Sequence, residues 1–365
     1  MTERITEKTL GDYATGAAVL GTGGGGDPYV GELMAKQAIE EHGPVDLIDP
    51  RDVPTDALIV PSAMLGAPTV MVEKIPRGTE SIASFEALET HLGEEAFATM
   101  SIEAGGLNST VPIAVAAALD LPLVDADGMG RAFPEMQMVT LTLGGISATP
   151  TSVADEKGNS VFIDTENNRR AEQFTRTTSI EMGGACMIAT YAHMGAQLQE
   201  HAILDSMSLA RNIGETLRTA ISRGADPVAE LLELTDGFEL FGGKVIDVER
   251  RTEGGFAIGT ATIDGFGPYD GRTLQLEFQN ENLVAQDSDL GIVASTPDLI
   301  TVLDAETGQP VTTEGLMYGQ RVRVAGMPCS EKWRTDAGLN LVGPQQFDYD
   351  IDYEPIEIIH NHERT

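Results

Sequence analysis

The chain changes texture once, at Gly237, and that change constrains the fold more than any single motif. Before it, apolar runs of strand length alternate with runs of helical period. Val45–Ile48, Ala57–Met64, Ala98–Ile102, Leu121–Val124 and Val139–Leu143 read as strands, with helices at Ser81–Leu92 and Ser109–Leu119 between them. Such alternation implies a mainly parallel sheet with helices packed on it. Thr151–Ile163 reads as a hairpin around Glu156-Lys157-Gly158-Asn159. Asn167–Thr178, Gln199–Arg223 and a shorter run from Pro227, capped by Asp226, then carry helical spacing. After Gly237, short alternating strands are punctuated by Glu253-Gly254-Gly255, Asp264-Gly265, Asp270-Gly271 and Glu306-Thr307-Gly308. That is the pattern of an all-β module, a barrel or sandwich. The predicted class is therefore α/β plus β. Residues 1–165 form the α/β domain, 166–236 a helical connecting segment belonging to the C-terminal half, and 237–365 the β-rich domain. A length of 365 residues suits two domains. The tail from His360 to Thr365 is expected to fray.

The first helix is predicted from Thr6, a cap, with Ile5 and Leu10 placed as a hydrophobic staple. It runs into Gly21-Thr22-Gly23-Gly24-Gly25-Gly26, after which Asp27 and Pro28 can start another helix. Gly21-x-Gly23-x-x-Gly26 has dinucleotide-fingerprint spacing, but that fingerprint requires a preceding strand, and here a helix precedes. Two readings remain. The glycines serve close backbone packing, or Gly23, Gly24 and Gly25 offer amides to a substrate anion or carbonyl.

Net charge is −34, with 57 acidic residues against 23 basic ones. A nucleic-acid partner is excluded in this reading, because phosphate contacts need a basic face. The charges are scattered among patterned apolar segments, which argues against disorder. The better reading is a protein built for high salt. Self-repulsion is long-ranged in dilute buffer, with a Debye length of ~30 Å at 0.01 M against ~3 Å at 1 M. The melting temperature should rise as KCl is raised from about 0.05 to 3 M, by screening first. A flat or falling melting temperature would contradict the high-salt reading. No apolar run approaches the ~18 residues of a membrane span. The start, Met1-Thr2-Glu3-Arg4-Ile5, has no signal-peptide pattern. A cytoplasmic homo-oligomer acting on a small molecule is the expectation.

The densest chemistry is Asp125-Ala126-Asp127-Gly128-Met129-Gly130-Arg131-Ala132-Phe133-Pro134-Glu135, just past a strand's carboxyl end. In open α/β sheets ligands bind there. Glu103-Ala104-Gly105-Gly106-Leu107-Asn108 lies beyond another strand, so Glu103 can face the same crevice. Asp125, Asp127, Glu103 and Glu135 are the catalytic candidates. Gly23, Gly24, Gly25, Gly105, Gly106, Asn108 and Arg131 are the binding candidates. Asn108 also suits a helix cap, and Arg131 an ion pair with Glu135 four residues on. Asp125 and Asp127 are candidate ligands for a divalent metal, although an Asp-x-Asp pair by itself specifies none. Cys186 is either a nucleophile served by His193 or His201, or a buried inert thiol. No Gly-x-Ser-x-Gly, His-Glu-x-x-His or P-loop is present; Gly242-Gly243-Lys244 is followed by Val245.

Several stretches together resemble the S-methyl thiohydantoin desulfurase family. They are Gly21–Pro28, Ala104–Asn108 and Asp125–Glu135, then Gly243–Thr252, Phe278-Gln279-Asn280-Glu281-Asn282 and Ser295–Ile300. The resemblance covers nearly the whole chain. It implies an N-terminal α/β domain followed by a β-rich one. It also implies hydrolysis of a thiohydantoin- or hydantoin-like ring with loss of sulfur as a thiol. The alternatives it leaves are an accessory subunit of an ATP-dependent hydantoinase or oxoprolinase, and a non-enzymatic metabolite binder.

Overall fold

The computed structural model describes residues 3–66, 70 and 77–361. Its first sheet has the order β1 (Glu3–Ile5), β2 (Val45–Ile48), β5 (Leu123–Val124), β4 (Ala98–Ser101), β3 (Leu58–Gly66), β9 (Ala185–Ala189), β7 (Thr151–Ala154), β8 (Ser160–Ile163). The central four, β2, β5, β4 and β3, run parallel; antiparallel strands extend the sheet at both ends. The parallel strands need crossovers, and two are helical: α3 (Glu80–Leu92) and α4 (Val111–Leu119). Their apolar positions Phe85, Leu88 and Val115 pack with Leu58 and Val60 of β3.

The entry is built as the residues dictate. Thr6 lies in extended backbone before α1 (Glu7–Leu20), with its amide donating to Thr9 Oγ1 at 3.0 Å. Asp27 caps α2 (Pro28–His42), accepting from the Tyr29 amide at 2.8 Å. Between them lies the glycine loop.

Three expected elements differ. Val139–Leu143 is not a strand; Thr140–Leu143 forms α5, a single helical turn closed at Gly144. A short apolar run cannot be assigned by period alone, and here Thr140 is tied by its amide and hydroxyl to the Gly128 carbonyl. The run from Gln199 is broken: α7 (Gly195–His201) ends, β11 (Ile203–Leu204) pairs with β6 (Ala126–Asp127), and α8 (Ser206–Arg223) follows. The break sits at Asp205, whose φ of 64° no helix tolerates. Finally, the segment 166–236 is not purely helical. After α6 (Asn168–Glu181) it gives β9 to the middle of the first sheet and β10 (His193–Met194) to the edge of β3. Ala185-Cys186-Met187-Ile188-Ala189 is short and low in β-branched residues, so its strand signal is weak.

After α9 (Pro227–Leu234) the second sheet begins: β12 (Phe238–Glu253), β13 (Phe256–Gly265), β14 (Thr273–Gln279), β15 (Glu281–Asp287), β16 (Gly291–Ser295), β17 (Leu299–Asp304), β18 (Pro310–Val311) and β19 (Arg321–Met327). It is antiparallel throughout, in the order β16-β15-β14-β13-β12-β19-β17-β18. The sheet curls until β15 meets β17, where Asn282 Nδ2 donates to the Ile300 carbonyl at 3.0 Å. Phe241, Leu274, Phe278, Val302 and Val324 fill its interior. A separate core runs across both domains, joining Leu20, Ile102 and Phe133 to Leu299, Met327 and Trp333. The Trp333 indole N–H donates to the Met129 carbonyl at 2.7 Å. His360 does not fray; it is buried, with Nε2 3.1 Å from the Val293 carbonyl. Residues 362–365 lie outside the described residues. No helix among those described is long and apolar enough to cross a membrane.

Candidate active site at the domain junction

The carboxyl ends of β3 and β4 open onto a cavity of about 70 Å³. One water needs roughly 10–15 Å³ on this measure, so the space suits part of a small molecule. The glycine loop, the Glu103 loop and the stretch after Gly128 all reach it, as the sequence predicts. A fourth contributor comes from the other domain: Asn280 and Glu281, at the turn between β14 and β15. Asn280 makes that turn with φ of 59° and exchanges two 2.8 Å hydrogen bonds with the Ala257 backbone. The Asn282 amide then donates to the Thr22 carbonyl at 2.8 Å, which seats the turn on the glycine loop.

Two buried carboxylates meet there. Glu103 Oε1 accepts from Asn108 Nδ2 at 2.6 Å. Asn108 also clips both backbone polar groups of Met64, accepting from its amide at 2.8 Å and donating to its carbonyl at 3.1 Å. Asn108 is therefore not a helix cap; it fixes Glu103 against the end of β3. Burial pushes the Glu103 carboxyl up to about 7, against the pull of Asn108 and the Phe133 backbone. Glu281 is 3% exposed, and its Oε2 has no hydrogen-bond partner among the described residues. Burial first, then the charge of Glu103, raises its carboxyl well above the ordinary range. Two carboxylates sharing a buried site cannot both ionise cheaply, so the pair favours holding one proton. Glu281 lies against Gly24, where a Cβ would come within 2.0 Å of Oε1.

Arg131 stands behind the pair but is not a free clamp. All five of its N–H donors are taken by the protein. Nε donates to the Ala132 carbonyl at 3.0 Å. Nη1 donates to Pro297 and Asp298 carbonyls at 3.1 and 2.6 Å, and Nη2 to Thr22 Oγ1 and the Asn282 carbonyl at 2.9 and 3.1 Å. No ion pair to Glu135 forms, because the side chain runs into the other domain instead. Burial pulls its pKa down, opposed first by the negative charge of Glu281.

The glycines answer the packing alternative. Gly25 has φ of 72°, and a Cβ there would lie 2.4 Å from Gly105 Cα. The Leu107 amide donates to the Gly25 carbonyl at 2.9 Å, so the two loops lock back to back. Gly106 meets Gly26 and Pro28 in the same way, and Gly23 passes its carbonyl to the Thr313 amide at 2.9 Å. Gly25→Ala should cost on the order of 1–3 kcal/mol from strain and displacement of Gly105. Urea unfolding measures it; a loss below about 0.5 kcal/mol would contradict the locked-loop account.

The other expected site residues lie elsewhere. Asp125 is buried beneath α8, accepting from the Ser208 amide at 2.9 Å and from the Ser208 hydroxyl. Asp127 Oδ1 accepts from the Met129 and Gly130 amides at 2.5 and 2.6 Å, which shapes the turn; burial pushes its carboxyl up to about 6. Neither lines the cavity. Among the described residues no group of three or more His, Cys, Asp or Glu side chains could hold a metal ion. Glu135 bonds Gln137 and lines a different depression. Cys186 is buried, pairing with Leu65 of β3, whereas His193 pairs with Ile59. Six strand positions separate the partners by about 20 Å, so His193 is no base for that thiol. His201 lies far off too, against Gly144.

Comparisons agree with this architecture. A crystal structure of a protein from Chromobacterium violaceum matches with a TM-score of 0.78, over 97% of this chain and 100% of that one. At 24% identity the likeness speaks for the fold alone. None of the curated proteins matches. The S-Me-THD-like N-terminal domain profile matches residues 8–165, and the S-Me-THD-like C-terminal domain profile matches residues 166–356. Between them they span nearly all of the sequence, both sides of the cavity included, and the chain belongs to the S-Me-THD-like family.

Proposed function

We propose that the protein hydrolyses an S-substituted thiohydantoin-like ring and releases the sulfur as a thiol. The observation that carries this reading is the pair Glu103 and Glu281, buried together at the end of the parallel strands, where burial raises both carboxyls. Hydrolysis at a C–S carbon needs a base for water and an acid for a ring nitrogen. Glu281, which keeps its proton, donates to the nitrogen next to the carbon bearing sulfur. Glu103, near neutrality and fixed by Asn108, takes a proton from water as its oxygen bonds that carbon. The tetrahedral intermediate collapses by breaking the C–S bond. Glu103 returns its proton to the departing thiolate, the hydroxyl passes its proton to Glu281 as the carbon becomes a carbonyl, and the ring is a hydantoin. Water is consumed and no redox partner is needed. Arg131 holds the two domains, and so the two carboxylates, in register.

Incubating the protein in high salt with S-methyl thiohydantoins and following thiol release tests the reading. Turnover that vanishes in Glu103→Gln supports it, and no turnover across a panel of such rings sinks it. The resemblance also suggests hydantoinase or oxoprolinase subunits as partners, and self-association. Co-purification with a large hydantoinase-like chain tests the first and sedimentation the second.

A further inference from the structure

Among the described residues, one basic side chain lines the cavity: Arg176, from α6. Its guanidinium is held on three sides. Nε donates to the buried Glu172 carboxylate, and Nη2 donates to the Pro134 carbonyl at 3.0 Å. The guanidinium carbon sits 4.2 Å from the centroid of the Phe256 ring, at the tip of the β12–β13 hairpin. Glu172 is itself fixed by the Met136 amide at 2.9 Å. Nη1 has no hydrogen-bond partner among the described residues and Nη2 uses one of its two N–H groups, leaving three N–H groups unused. Arg131, by contrast, uses all of its donors within the protein. Arg176 is immobilised without being saturated, which is what recognition by a preorganised group requires.

Resting on the hydrolase reading above, we infer that Arg176 selects rings bearing a carboxylate substituent. The physics is directional. The one negative charge left on the Glu103–Glu281 pair repels an anionic substituent, whereas the guanidinium attracts it and offers charge-assisted hydrogen bonds. An acidic ring therefore enters in one orientation, with its carboxylate at Arg176 and its sulfur-bearing carbon at the carboxylate pair. The Phe256 stack keeps the guanidinium plane fixed, so little rotamer entropy is lost when the substrate binds. Glu172 neutralises part of the arginine charge, so geometry and the open donors, rather than net charge, carry the preference.

Calorimetric titration with hydantoin products tests this, using a carboxymethyl-substituted ring and its carboxamide. The acid should bind about ten- to a hundred-fold more tightly to the native protein, the range of hydrogen bonds to charged groups. In Arg176→Gln the two should bind within about twofold of each other, and Arg176→Lys should fall between. Equal affinities in the native protein, or no binding of either ring, overturn the inference, and neither outcome depends on how a variant folds. Thiol release from the S-methyl forms of the same two rings separates the two proposals. Release without preference for the acid sinks the role of Arg176 alone. Acid-selective binding without release sinks the hydrolase reading and leaves the anion site standing.

Discussion

Replacing Arg131 by methionine should destabilise the protein by roughly 3–5 kcal/mol, the range for removing one partner from a buried, hydrogen-bonded charge cluster. The methionine fills much of the space but leaves the carbonyls of Pro297, Asp298 and Asn282 and the Thr22 hydroxyl without their donor. It also removes the positive charge that faces Glu281 and Glu103. Arg131→Lys keeps the charge but loses the planar fork, and should recover only part of the loss. Urea denaturation gives both numbers. A methionine variant within about 1 kcal/mol of the native protein would mean that the strap contributes little. The loss should appear as separation of the two domains as well, with probes in each half no longer unfolding together.

Glu103→Gln is expected to do two opposite things. Activity should fall by about 10²–10⁴-fold, the usual contribution of a positioned acid or base. Stability should rise at neutral and higher pH. The Glu103 carboxyl sits at about 7 in the folded protein against an ordinary value of 4.5. The native state therefore binds more protons than the unfolded chain between those values, and stability falls as pH rises through that window. Glutamine abolishes the effect, so the variant should gain up to on the order of 3 kcal/mol over native at pH 8, and little at pH 4. Thermal melts at the two pH values decide. An unchanged difference between pH 4 and pH 8 would show that Glu103 titrates normally. Glu281→Gln should move in the same direction, because burial raises that carboxyl too.

Much of the architecture was legible in the sequence because periodicity reports burial. The parallel strands and the caps at Thr6, Asp27 and Asp226 fall where their patterns place them. What failed was decided by contacts remote in sequence. Thr140–Leu143 coils because Gly128 takes its first amide, and β9 is a strand because β3 and β7 accept it. The site divides in the same way. Glu103 and Asn108 were readable, since both follow a strand end. Asp125, Asp127 and Arg131 carry the same chemistry but serve local turns and the domain junction. Glu281 was missed as a site residue although it lies in the stretch Phe278–Asn282 that carries the resemblance. The available signal was a glutamate between two asparagines at a hairpin turn, directly before the apolar run Leu283-Val284-Ala285. Nothing local says that such a turn inserts into another domain.

The junction makes the Glu103–Glu281 pair a reporter of folding order. Glu103 and Glu281 enter from different sheets, and each ordinarily ionises below pH 5 while its half is alone in water. Burial raises both carboxyls only when the Asn280 turn docks on the glycine loop, so proton uptake should accompany that step. In refolding from urea at pH 6, dye-detected proton uptake should therefore lag the recovery of far-UV secondary structure. It should coincide with the burial of Trp333, the chain's single tryptophan, against Phe133. Docking, rather than the folding of either sheet, is then the event that assembles the proposed site.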